Sequence, residues 1–293
     1  MAVVKNSVVE AELLKQFKDM NDDFLGEIKA MDSKVNNDVI NFTEIGADPN
    51  VLIDNVVYPI ASAQRTDDNR PVSLHKFDTE NTIITEDELF ALGYDKKSSV
   101  LQSHRDSLKT SVLKLGAHSL APAADTLNTP VVQTTGALVG ARKRMTIEDL
   151  VALKDRCDKL MIPMESRVLV LASTHVNDIV LIDQSFRDRY NSTETGKLIS
   201  RLLGFKIFES IHTPVYTPAY AKKAYGAVAA GTDKEASVFF STLNAMKATG
   251  SAKMFYADAA QDPTMRQSVV GFRMYNIVSP VTVKGIGAIV SGS

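Results

Sequence analysis

Residues 50 to 85 constrain this chain most. Val51-Leu52-Ile53 and Val56-Val57-Tyr58 lead into a polar run, Gln64-Arg65-Thr66-Asp67-Asp68-Asn69-Arg70-Pro71, and Val72-Ser73-Leu74-His75-Lys76-Phe77 leads out of it. The pattern predicts a long two-stranded arm with its tip at residues 64–71 and no partner layer of its own. An isolated hairpin is marginal in water at best. Such an arm needs a surface to lie on, and a neighbouring copy of the same chain is the economical one. The expectation is an assembly protein.

Bulk properties narrow the class without choosing it. A chain of 293 residues holds one large domain or two ordinary ones. Its 44% hydrophobic and 23% charged content is that of an ordinary globular protein. A net charge of −2, from 33 basic and 35 acidic residues, argues against a protein built to grip nucleic-acid phosphates. Arg142-Lys143-Arg144 is the densest basic run, either a local patch or a solvated loop before a helix. The single cysteine, Cys157, excludes an internal disulfide. Without a signal-peptide core at Met1–Ser7 or a run near the ~18 apolar residues of a membrane helix, a soluble chain outside any membrane is expected.

Along the chain, apolar residues from Val9 to Met31 recur at helical spacing. They predict an amphipathic N-terminal helix that packs either on its own domain or on a neighbour. Thr85-Glu86-Asp87-Glu88 caps a short helix through Ala91. A longer one over 95–118, with Val100, Leu101, His104, Leu108, Val112 and Leu115 on one stripe, would run about 35 Å. Thr146-Ile147-Glu148-Asp149 caps another, with Leu150, Leu153, Cys157, Leu160 and Met161 on its apolar face and Pro163 as its stop. Arg167–Ala172 reads as a buried strand, followed by a helix to Ile182. Residues 186–196 read as a surface excursion, 198–203 as helix ending at Gly204, 205–209 as strand, and 211–220 as irregular loop. Residues 236–240 read as strand, 242–248 as short helix, and 268–290 as paired strands broken at Ser279-Pro280.

Motifs for chemistry are missing. Thr195-Gly196-Lys197 approaches a phosphate-binding loop, but Leu198 replaces its hydroxyl residue and Asn191 its first glycine. There is no dinucleotide-binding glycine pattern and no serine elbow. His75, His104, His118, His175 and His212 show no metal-ligand spacing. His104 is expected to be a satisfied, partly buried side chain, and Cys157 inert packing. Asp22-Asp23 and Glu86-Asp87-Glu88 sit where helix ends explain acid without catalysis. No catalytic, metal or cofactor residue is expected. An enzyme with a motif-free active site stays open as the reading from another class.

The order of segments carries a resemblance. Phe77-Asp78-Thr79-Glu80-Asn81-Thr82, then Tyr94-Asp95-Lys96 and His104-Arg105, resembles the exit of an extended arm into a spine helix. Leu160-Met161-Ile162-Pro163 followed by Arg167–Leu171, Leu202–Ile207, and Met265-Arg266 through Val278-Ser279-Pro280 continue the likeness over nearly the whole chain. In this order they resemble tailed-bacteriophage major capsid proteins of the Hong Kong 97-type fold. The resemblance implies an α+β chain divided into an N-terminal arm (1–45), an extended β-arm or E-loop (46–85), a spine helix and peripheral domain (86–172), an apical domain (173–255) and a closing β-segment (256–293).

It also implies a role. Copies would form pentamers and hexamers of an icosahedral virion shell around double-stranded DNA, assembled in the host cytoplasm. Many modest contacts closed by symmetry make such a shell stable. An encapsulin-type nanocompartment is the alternative on the same fold. About 40 residues precede the arm, so scaffolding is expected from a separate protein, with a portal and decoration proteins as further partners. Arg65, Asp67, Asp68, Arg70 and Lys76 are the expected inter-subunit residues. Relatives that weld subunits covalently join an arm lysine to an asparagine beside a carboxylate. Lys76 and Asn276 suit by position, but no Asp or Glu follows Asn276, so ordinary polar contacts are expected instead.

Overall fold

A computed structural model describes residues 24–32, 35–36, 39–44, 50–62, 64–65, 68–85, 87, 96–182, 184, 187–188, 201–261, 264–282 and 284–292. Its main strands are, in chain order, β1 (Val39–Glu44), β2 (Asp68–Ser73), β3 (His75–Asp78), β4 (Thr82–Thr85), β5 (Val131–Gln133), β6 (Arg167–Ala172), β7 (Phe205–Ser210), β8 (Lys234–Ser241), β9 (Ala245–Ala257), β10 (Gln267–Pro280) and β11 (Ile286–Val290). Three helices join them: α1 (Lys96–Leu120), α2 (Ile147–Lys159) and α3 (Ser173–Ile182).

A central sheet runs in the order β7-β6-β8-β11-β5, with Arg201–Leu202 at the β7 edge and Val215–Tyr216 beside β8. Its strands read as unbroken apolar runs because both faces are covered. Alternation sorts the side chains: Val168, Val170, Val238 and Phe240 face the cluster that holds α1, whereas Leu169, Leu171, Phe239 and Ile289 face the one that holds α2 and α3. All six residues of β6 are buried.

The second sheet is a long hairpin. β9 pairs antiparallel with β10, and the other edge of β10 takes β3 and β4. Helix α1 packs along β10. A register shift between Thr249 and Ala252 bends β9, a bulge at Gly250-Ser251. A third, small sheet pairs β1 with β2, and buried Ile40 and Leu74 seat it against Met246, Ala248 and Ile277 of the hairpin.

Helix boundaries follow the sequence closely. α2 opens with the Asp149 carboxylate accepting the Thr146 N–H at 2.8 Å, and Leu150, Leu153 and Cys157 are buried as expected. Met161 departs from that face: it follows the cap with φ of +56° and is 88% exposed. On α1 the stripe holds at His104, Leu108 and Val112 but rotates to Gly116, Ala117 and Leu120. Gly116 allows this, because a Cβ there would meet Leu25 at 3.3 Å. The predicted short helix after Thr85, the excursion over 186–196 and the N-terminal helix before Phe24 lie outside the described residues, apart from Asp87 and residues 187–188. Phe24, Leu25 and Ile28 are described, and they bury in the chain's own core.

Several strands lie where the sequence pattern favours other structure. Residues 201–202 form a strand that turns at Leu203-Gly204, both with positive φ, where helix is the sequence expectation. Two consecutive positive φ values make a tight hairpin rather than a helix stop. Residues 245–248, expected as part of a short helix over 242–248, instead open the strand Ala245–Ala257, because β10 offers it an antiparallel partner along its length. The closing strands do not pair with each other: β10 joins the hairpin and β11 the central sheet. The sheets therefore cross the expected linear divisions, and the 255/256 boundary falls inside β9.

Candidate intersubunit surface

The arm is anchored at its base and bare beyond it. Its stem is β1 with β2, so the hairpin runs through 39–44 and 68–73 rather than through 51–58 and 72–77. Between the two strands, residues 50–62 form no strand and lie in the open. Val51 is 85% exposed, Ile53 84%, Val56 88% and Tyr58 73%, with Leu52, Val57 and Ile60 also exposed. Local turns shape this run. Asp54 has a φ of +52°, and the Asn55 side chain accepts the Val57 N–H at 3.1 Å while its Nδ2 donates to the Val57 carbonyl at 2.9 Å. Each large apolar side chain left in water forgoes about 1.5–3 kcal/mol of burial. Seven within ten residues form an apolar run of the kind that marks an interaction surface.

The charged residues expected to carry the interface are dispersed. Arg65 is exposed on the arm, and Asp67 lies outside the described residues. Asp68 and Arg70 belong to the stem, opposite Glu44 and Phe42, and not to a tip. Lys76 sits on β3 opposite Tyr275, with its Nζ 3.4 Å from Asp78. Arg273 grips Asp78 with two bonds, 2.6 and 3.1 Å, and chiefly this holds the Asp78 carboxyl below its usual range. Asn276 is buried one strand position from Lys76 in the same chain, its amide donating to Thr249 at 3.0 Å. It is thus occupied internally.

The apolar tip has a signal in the sequence, although the expectation there is a lead-in strand. Its signal is the absence of alternation: Val51-Leu52-Ile53 and Val56-Val57-Tyr58 offer no polar face, and Asp54-Asn55 interrupts them. A run without faces suits burial on all sides or a bare surface seeking cover.

Beside the arm base lies a groove of about 480 Å³ between α1 and the segment from Phe77 to Thr82. Ser103, Ser107 and Ser111 line one wall at helical spacing, and Phe77, Val100 and Leu108 line the floor. His104 is buried at its edge against Phe272, with ring centroids 5.5 Å apart, and burial pushes its imidazole below the ordinary value. Its Nε2 has no hydrogen-bond partner among the described residues, so it is not the satisfied side chain expected.

Other ionisable groups serve the fold. Arg142, expected in a patch or solvated loop, donates to both Asp178 oxygens. Burial pushes the Asp178 carboxyl up, but the Arg142 bonds and the Met145 N–H outweigh it and hold the group below its usual range. Arg167 is buried, bonds the Ile162 carbonyl and meets Asp158 at 2.7 Å. Burial raises the Cys157 thiol to about 12, which leaves it unreactive. No cluster of three or more His, Cys, Asp or Glu suited to a metal occurs among the described residues. None of their helices is long and apolar enough to cross a membrane.

No family model matches the chain, and no curated protein matches it. Solved structures do. A structure from Mycobacterium phage Che8 is 13% identical over 91% of this chain and 90% of its own, with a TM-score of 0.63. The capsid structure of cyanophage P-SCSP1u is 14% identical over 91% and 86%, with a TM-score of 0.65. A virus-like particle from Pyrococcus furiosus is 8% identical over 97% and 99%, with a TM-score of 0.58. The chain has the Hong Kong 97-like capsid fold, an α+β architecture, across nearly its whole length.

Proposed function

We propose that this chain is the major shell subunit of a tailed-bacteriophage capsid, located in the virion. Copies would assemble into pentamers and hexamers of an icosahedral shell around double-stranded DNA. One observation carries the reading: an apolar arm stands uncovered on a subunit whose fold is that of capsids. A neighbour that covers the arm recovers the burial lost by the lone subunit. Arg65, Asp67, Asp68, Arg70 and Lys76 follow the apolar run in the chain and would pair across the seam. Residues 173–255 would form the apical contacts of each capsomer, and the arm would join neighbours. The near-neutral charge suits a container that holds DNA loosely. A separate scaffolding protein, a portal and decoration proteins would complete the particle. The role is structural, without catalysis or a cofactor.

A second reading, an encapsulin-type nanocompartment, is favoured by the Pyrococcus particle that spans 99% of its own length on this chain. Negative-stain microscopy of the purified full chain, alone and with co-expressed neighbouring gene products, tests the shell itself. Closed particles are expected. A monomer at every concentration in both preparations overturns the proposal. Particles with strong 260 nm absorbance support the capsid, and particles filled with protein support the compartment.

A further inference from the structure

Three turns meet at one end of the central sheet: residues 160–166 before β6, 203–204 before β7 and 242–244 after β8. Pairing register brings them together, since Arg167 lies opposite Ser241 and Val168 opposite Lys206. The Thr242 N–H donates to the Ser166 carbonyl at 2.8 Å, and a Cβ on Gly204 would touch Met164 Sδ at 3.7 Å. This end presents Met161, Met164 and Leu243 to solvent, with Leu203 half-buried beside them.

Two of these apolar side chains sit on left-handed backbone. Met161 follows the α2 cap, where glycine is usual, and the N–H groups of Met161 and Ile162 bond back to Asp158 and Cys157. Leu203 has a φ of +50° at the first position of a two-residue turn, where Asn, Asp or Gly is usual. A bulky residue there destabilises the subunit. Met161 gains little in return within its own chain, because its side chain is almost fully in water.

We infer that this end of the sheet is a contact surface for a second copy of the chain, an inference that rests on the shell reading. Two exposed charges of opposite sign, Glu165 in the first turn and Arg201 on the hairpin, leave this end without a net field. Asp158 is held by Lys154 and Arg167, and Lys206 by Glu27. A nucleic-acid backbone or a strongly charged partner finds no complement in such a surface. A second copy does provide one, because each copy carries an exposed run from Asn55 to Ile60 that has no charged residue. An apolar patch at one place and an apolar run at another suit the head-to-tail contacts that close into rings. Methionine at the centre adapts to a partner's shape.

Met161→Gly in the full chain separates a contact role from a folding role. It relieves the left-handed strain and removes the exposed side chain. The thermal midpoint of the unassembled subunit should hold or rise by about 2 °C. The critical concentration for particle formation, followed by light scattering, should rise about tenfold. Leu243→Ser should raise it in the same direction with the midpoint unchanged. Normal assembly by both variants overturns the inference. So does a lowered midpoint for Met161→Gly, which would place that side chain in the subunit's own packing. A wild-type chain that never forms particles sinks the shell reading and this surface with it, whereas particles from both variants at the wild-type threshold sink this surface alone.

Discussion

The central sheet and the arm are built from similar residues and end in opposite states. β6 offers Arg-Val-Leu-Val-Leu-Ala and all six are buried; the arm offers Val-Leu-Ile and Val-Val-Tyr and all six are exposed. The difference lies in cover. β6 has β7 and β8 at its edges and helices on both faces, so it is complete within one chain. The arm has a stem anchored by Ile40 and Leu74, and beyond it none of the described residues 50–62 is buried. Hydrophobicity alone therefore does not say whether a segment belongs to the subunit's core or to the seam between subunits. Stability of the lone chain should depend on the first region, and assembly on the second.

The strongest way to break this comparison is to charge the arm. Val56→Asp with Ile60→Asp would trap two carboxylates in an apolar seam, at a cost of several kcal/mol for each one left unpaired. Particle formation should be abolished while the urea midpoint of the subunit stays put. A shifted midpoint would mean that the arm packs on its own body.

The converse change is Phe239→Ala in the sheet. It removes a fully buried ring that stands edge-on to Phe205 at 5.6 Å, and should cost about 3–5 kcal/mol by urea denaturation of the subunit.

A smaller effect comes from His175, which is fully buried between Ser237 and Ser291 at 2.7 and 2.9 Å. Burial lowers its imidazole from 6.5 to about 4. The folded chain thus holds it neutral while the unfolded chain takes a proton first. Stability is fully present above pH 6.5 and falls as the pH drops toward 4. At pH 5 the subunit should be roughly 2 kcal/mol less stable than at pH 7 from this group. Urea titrations at the two pH values measure it, and the arm should contribute nothing to the difference.

The smallest effect sharpens the arm itself. Asn55→Ala removes two exposed local hydrogen bonds and should change subunit stability by less than about 0.5 kcal/mol. A larger loss would show that the arm's local shape is coupled to the core.

Legibility varied with the range of the interactions. The cap and apolar face of α2 were plain because they repeat within a few residues, and β6 was plain because five apolar residues in a row, Val168 to Ala172, need two covered faces. Arg142 and Arg167 were opaque: their partners Asp178 and Ile162 are set by the fold, so a basic run and a strand's first residue gave no sign of being clamps. The charged residues at 65–70 mask the role of the apolar segment ahead of them, since a polar run between two apolar ones is also how a hairpin tip reads.

The sequence by itself determined where α1, α2 and α3 run, that β6 is buried on both faces, and that the chain carries an arm it cannot cover, because periodicity and capping act within a turn or two of backbone. Only the tertiary structure decided that residues 245–257 are strand, that β10 and β11 part to different sheets, and that the apolar run 51–60 lies bare beyond a stem formed by 39–44 and 68–73. Those outcomes depend on hydrogen-bond partners far away in the chain, as with Ala245 opposite Pro280, and no local pattern encodes a partner that distance brings into place.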